Sequence, residues 1–316
     1  MSYTIFQEPD IGEQPILFAA WPGVGNAGQQ AVEYLIKKLQ ATPFAELNSQ
    51  DYYYPTSTVI EDNVLKEMTF PKAVFYFKKC NNKSFIFFVS DQQLPINPET
   101  SAEDNISYKM ANDILELVKH FGCRRIYTAG ASFSLIHHSM ESELMYGTDN
   151  HFFSAELSSI LGHKFKPLNN IFNSDFVGGM NGILPMVAID KNMEAGILLG
   201  NIPIYLQTIP IPYPKATKTI VNAFAKIHKI DIDFKELDEA IEKLDKKINE
   251  IMGKVSSSIP SEIRKNIFSE INKLNKQKKG NTKRTKTNTK NLTINDVKNA
   301  ITEIEEFFKK ENSDEL

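Results

Sequence analysis

The sequence predicts an α/β protein, a largely parallel sheet covered on both faces by helices. Three observations carry this. Short apolar runs that read as buried strands alternate along the chain with longer segments of helical period. Glycine or proline punctuates the passages between them. The 316 residues, 41% hydrophobic and 24% charged, have the composition of a globular chain and are enough for a sizeable core.

The run PILFAAW (15–21) is short, apolar and ended by Pro22-Gly23, as a buried strand is. Residues 26–39 then place Ala27, Ala31, Tyr34, Leu35 and Leu39 at helical spacing. AVFYFKK (73–79) and KSFIFFVS (83–90) read as strands joined by a hairpin turn at Cys80-Asn81-Asn82. Residues 101–121 give the clearest helix of the first half. Ser101 stands before Asp104 as in a capping box, and Ile106, Met110, Ile114, Leu117 and Val118 form one stripe. Gly122 ends that helix, and RIYTAGAS (125–132) returns as a strand. GILPMVAIDK (182–191) reads as a helix of small residues and EAGILLGNI (194–202) as a strand. Pro214 opens the next helix, and residues 234–252 form another with Leu237, Ile241, Leu244, Ile248 and Ile251 on one face.

The composition changes near Gly253. A Ser-Ser-Ser-Ile-Pro break leads through a short helical piece into residues 273–290, with seven lysines, one arginine and no acid. Residues 291–316 then read as an acidic amphipathic helix with Val297, Ile301, Ile304 and Phe308 in register. The expected organisation is a core of residues 1–252, a flexible linker of 253–290 and a terminal helix of 291–316.

A formal charge of −3 does not suggest a chain built around nucleic acid or an anionic membrane. Cys80 and Cys123 are too few for a disulfide framework and form no C-x-x-C pair. The N-terminus lacks the basic and then apolar pattern of a signal peptide, and no apolar stretch approaches the roughly 18 residues of a membrane span. A cytoplasmic protein is expected.

Gly23, Gly25 and Gly28 spell G-x-G-x-x-G between a strand and a helix, the setting of a dinucleotide cradle. Glu46 lies 18 residues beyond Gly28, where a ribose-binding acid would stand. The bulk of Trp21-Pro22 and the scarcity of branched residues in TPFAEL (42–47) favour instead a turn for tight strand-to-helix packing. His137 and Glu141 would share a metal if they lay on a helix, but no third ligand falls at a recognisable spacing, and a polar loop is expected. Ser132 follows a strand as a nucleophile would, without completing G-x-S-x-G. Asp91 and Gln92 stand at a strand's C-terminal end, where α/β sites form.

Taken in order, these pieces resemble the PAC2 family, named for a proteasome assembly chaperone, in its archaeal-type form. The residues that carry the likeness are Pro22 to Gly28, the acid-Gln turn Asp91-Gln92-Gln93-Leu94-Pro95, the strand end Ala129-Gly130-Ala131 and, above all, residues 178–244. The last block holds Gly179, Gly182, Gly196, the Leu198-Leu199-Gly200 strand end and Pro212 to Ala216. The resemblance covers roughly residues 15–252. It implies a three-layer α/β/α sandwich like that of nucleoside phosphorylases, with a C-terminal helical extension outside it. It implies a non-catalytic assembly factor or scaffold without a cofactor, forming homo-oligomers and binding protein partners, proteasome-related subunits among them. Multimeric relatives suit the aromatic surface that DYYYPTST (51–58) would offer. The chain departs from the hydrophobic-Tyr-any tail of proteasome-docking members, ending Asp314-Glu315-Leu316.

Alternatives stay open at this level. Gly23, Gly25, Gly28, Asp91, Gln92 and Ser132 would line a phosphorylase-like crevice for a small molecule or nucleotide. The label of ATP-dependent carboxylate-amine ligase, given to some family members, would require that. Val297, Ile301, Ile304 and Phe308 would form a partner-binding face. The eight cations of 273–290 could meet phosphates, but without aromatics for stacking a solvated linker is expected rather than nucleic-acid reading.

Overall fold

The computed structural model describes residues 2–94, 106–134, 136–162, 177–206 and 211–258. The expected cap at Ser101 and Asp104, the basic linker, and the helix bearing Val297, Ile301, Ile304 and Phe308 lie outside these residues.

The chain runs β1 (Tyr3–Ile5), β2 (Ile16–Ala20), α1 (Ala27–Leu39), β3 (Thr42–Leu47), β4 (Ser57–Glu61), β5 (Val64–Thr69), β6 (Ala73–Cys80), β7 (Lys83–Ser90) and α2 (Ile106–His120). It continues with β8 (Arg125–Ser134), β9 (Leu144–Thr148), α3 (His151–Leu161), α4 (Met180–Asp190), β10 (Glu194–Pro203), α5 (Pro214–His228) and α6 (Lys235–Ser258). One eight-stranded sheet has the order β1-β3-β6-β7-β2-β8-β10-β9. Only its middle is parallel, in the pairs β2 with β7, β2 with β8 and β8 with β10. The flanks are antiparallel, so the sheet is mixed where a largely parallel one was expected.

Alternation along the central strands builds two cores. Phe18 and Ala20 of β2, Phe85 and Phe87 of β7, and Tyr127 and Ala129 of β8 face the layer of α1, α3, α5 and α6. Leu17, Ala19, Ile86, Phe88 and Ile126 face the other layer, α2 and α4. Strands buried on both faces read as continuous apolar runs, which is why ILFAA and FIFFV stand out in the sequence. The outcome is a three-layer α/β/α sandwich.

The β6–β7 hairpin turns at Asn81 and Asn82, both in the left-handed region (φ 51° and 59°), as a two-residue turn matched to strand twist requires. TPFAEL does form a strand, β3, but it runs antiparallel to β6. Pro43, which has no N–H to give, sits at a register shift beyond the end of the short β1. A second hairpin, β4–β5, forms a separate two-stranded sheet. Of the three tyrosines in DYYYPTST, Tyr52 and Tyr53 are buried and only Tyr54 is exposed, which corrects the expected aromatic surface. Tyr52 donates to Asp113 of α2 at 2.5 Å, and the Tyr53 hydroxyl meets Ser90 at 2.7 Å. No helix among the described residues is long and apolar enough to cross a membrane.

Candidate functional site

The C-terminal ends of β2, β7, β8 and β10 meet at one edge of the parallel block, where ligands of open α/β sheets bind. β2 ends at Ala20, the buried Trp21 follows, and the chain turns through a short 3-10 segment, Val24–Asn26, into α1. Gly25 takes φ +55°, and the turn is covered from above. A Cβ at residue 25 would stand 2.6 Å from Ile202 Cδ1 and 3.0 Å from Tyr213 Cβ, and the Gly25 carbonyl accepts from the Tyr213 N–H at 2.8 Å. A Cβ at Gly28 would lie 2.2 Å from the Ala129 carbonyl oxygen. This helix turn therefore rests directly on the backbone of β8. Gly23 is the least constrained, with the Asn181 side-chain amide 3.9 Å from its would-be Cβ.

Two amides clamp this turn to the start of α4. Asn181 accepts from the Trp21 N–H (3.2 Å) and donates to the Trp21 carbonyl (3.4 Å), while its own carbonyl accepts from the Thr128 hydroxyl of β8 (2.6 Å). Gln93 donates to the Pro22 carbonyl (3.1 Å) and accepts from the Met180 N–H (3.0 Å). Gly179, at φ +67°, gives Gln93 room, since a Cβ there would meet its amide nitrogen at 2.8 Å. Turn, α4 and β8 are thus locked by groups whose hydrogen bonds go to backbone. No motif in the sequence singles out Gln93 or Asn181 for this role. Side-chain amides that serve distant backbone have no spacing rule of their own.

The structure places Asp91 and Gln92 at the end of β7 and Ser132 two residues past Gly130 on β8. The Asp91 carboxylate accepts from the Lys72 N–H at 3.0 Å, which ties the start of β6 to the end of β7. The Gln92 side chain is exposed, while its carbonyl accepts from the Tyr53 hydroxyl at 3.0 Å. Ser132 is half-buried opposite Asn201 of β10. Glu46 lies on β3, separated from β2 by β6 and β7, so it stands at no ribose position relative to the turn. His137 opens a turn that closes at Met140 and Glu141 follows it in irregular chain, so neither is on a helix, and among the described residues no three His, Cys, Asp or Glu side chains gather as a metal site would need.

A second polar cluster lies where α6 crosses α5. The Lys215 ammonium, 4% exposed, pairs with Asp245 at 2.7 Å and donates to the His138 carbonyl. The buried His138 ring meets the Tyr205 hydroxyl through Nδ1 (2.8 Å) and Asn249 Oδ1 through Nε2 (2.9 Å). An amide oxygen can only accept, so Nε2 donates in this contact. Burial, with Lys215 nearby, holds its pKa below the ordinary value. A groove of about 430 Å³ opens between α1, α5 and α6, floored by Tyr34, Thr217, Leu237 and Leu244.

The sequence pattern that defines the PAC2 family matches residues 17–252. The chain belongs to the PAC2 family. Its archaeal likenesses include an uncharacterized protein of Methanocaldococcus jannaschii, 28% identical over 261 residues that make up 79% of this chain and 90% of the relative. Among solved structures, PbaB of Pyrococcus furiosus, an archaeal proteasome activator, is 25% identical with a TM-score of 0.64, over 79% of this chain and 97% of that one. PbaA of the same organism, an archaeal homologue of proteasome-assembly chaperone, shares the fold at 19% identity and a TM-score of 0.57, over 81% of this chain and 99% of that one. In this PAC2 chain the glycine turn, Gln93 and Asn181 all lie within the matched region, and so does the Lys215 cluster.

Proposed function

We propose that this PAC2 chain is a non-catalytic assembly factor that forms homo-oligomers in the cytoplasm and binds protein partners, proteasome-related subunits among them. The observation that carries this reading is the likeness to a proteasome activator over nearly that protein's whole length. The strand-end site supports it. Gln93, Asn181 and Thr128 direct their side-chain hydrogen bonds to backbone, as groups that hold a packing turn together do. Native mass spectrometry of the protein gently purified from its own cells tests it. A multimer carrying proteasome-subunit mass is expected. An oligomer that retains a ligand of a few hundred daltons and no protein partner would replace this reading with a small-molecule function of the crevice.

A further inference from the structure

The β4–β5 hairpin stands off the sandwich. From residue 54 to residue 69 every residue but Val59 is exposed, and among the described residues the two strands pack chiefly against each other. A lone two-stranded ribbon is marginal in water, so its shape calls for cover. The turn at Asp62 and Asn63, both at positive φ (51° and 61°), fixes the register. That register sorts the side chains. Thr58 stands opposite Met68 and Ile60 opposite Leu65, so these four share one face. Val59 opposite Glu67 and Glu61 opposite Val64 share the other, with Lys66 the extra residue of a bulge. Ile60, Leu65 and Met68 are 64%, 71% and 59% exposed, an apolar face that none of the described residues covers.

We propose that this face is the contact between two copies of the chain, related by a two-fold axis that lays hairpin on hairpin. The proposal rests on the oligomeric part of the function proposed above. Three features select a second copy as the occupant. The paired positions of the apolar face carry no charge, so like meets like without repulsion, while Glu61 and Glu67 remain on the solvated side. With Tyr54 at its foot, the ribbon presents on the order of 600 Å² of apolar surface, most of the ~800 Å² per partner of a standard interface. Finally, an apolar ribbon with free edges is an aggregation hazard whenever uncovered, and an identical chain is always present at equal concentration to cover it.

Native mass spectrometry of the full chain, wild type against the double variant Ile60→Asp/Leu65→Asp, tests this. The expected result is a wild-type multimer and a variant of half its mass or less, with the same circular dichroism. A variant that keeps the wild-type mass overturns the hairpin contact and leaves homo-oligomer formation standing. A wild type that is monomeric overturns both. Should the charged variant fail to fold, Met68→Cys in a Cys80→Ser background decides the matter. Oxidation is expected to give a covalent dimer, and a multimer without that cross-link overturns the contact.

Discussion

A methyl group at residue 28 is the smallest change that separates a packing turn from a phosphate cradle. Its carbon would fall 2.2 Å from the Ala129 carbonyl oxygen and 2.8 Å from the Gly130 nitrogen, both backbone atoms that cannot rotate away. Helix α1 would have to lift off β8. Gly28→Ala is therefore expected to lose about 2–3 kcal/mol, at the upper end of overpacking costs, in urea unfolding. Gly147→Ala on β9, where nothing lies within 4 Å, is the control and is expected to stay within about 0.5 kcal/mol. The G-x-G-x-x-G spacing alone could not decide between the two uses, because both need a glycine on the first helical turn. What decides is the neighbour above it, and sequence spacing says nothing of that neighbour.

Among the elements, α6 shows how one buried ion pair fixes an amphipathic helix. Its apolar residues Leu237 and Ile248 are buried, and Ile241 and Leu244 lie half-buried beside them. Lys37 and Lys38 of α1 reach Glu236 and Asp233 near its start (2.6 and 3.1 Å), exposed pairs of the kind worth little. Lys215–Asp245 is different, since the cation is buried. Lys215→Met should cost about 1–2 kcal/mol by leaving the half-buried Asp245 without its cation, whereas Lys215→Met with Asp245→Leu should recover much of it; thermal unfolding of the two variants measures the difference. Elements with a buried stripe or a fully apolar run were legible in the sequence, as α1, α2, β6, β7, α4, β10, α5 and α6 show. The β4–β5 hairpin was not, because its alternation is carried by residues this chain leaves exposed. The scarcity of branched residues in TPFAEL agrees with β3, where only Phe44, Ala45 and Leu47 are buried and the pairing is antiparallel.

At the scale of the whole molecule, three histidines make stability depend on pH. His228 sits against Phe85, Tyr127 and Phe224, with ring centroids 5.2, 5.6 and 4.4 Å away, and burial pushes its pKa down to about 3. Burial likewise lowers His137 to about 4, and His138 in the same direction. The unfolded chain takes up protons near pH 6.5 that the folded chain refuses, so stability is lost as pH falls from that value toward the folded-state values. The urea midpoint is expected to drop between pH 7 and pH 5, and His228→Phe to drop less. The mixed sheet was the part of the architecture least open to sequence reasoning. Strand order depends on which distant runs pair, and the helical and strand periods of neighbouring segments do not encode it.

That order also sets when the protein can fold. β2 is made early, yet its neighbours β7 and β8 come much later in the chain, and Phe18 stacks at 4.4 Å on Phe224 of α5. At about 5–20 residues per second, Phe224 emerges from the ribosome roughly 10–40 s after Phe18. Until β7 and then β8 are made, ILFAA has two bare edges, and until α5 is made Phe18 lacks its stacking partner. The face of β2 that carries Phe18 therefore closes only after α5 has been made.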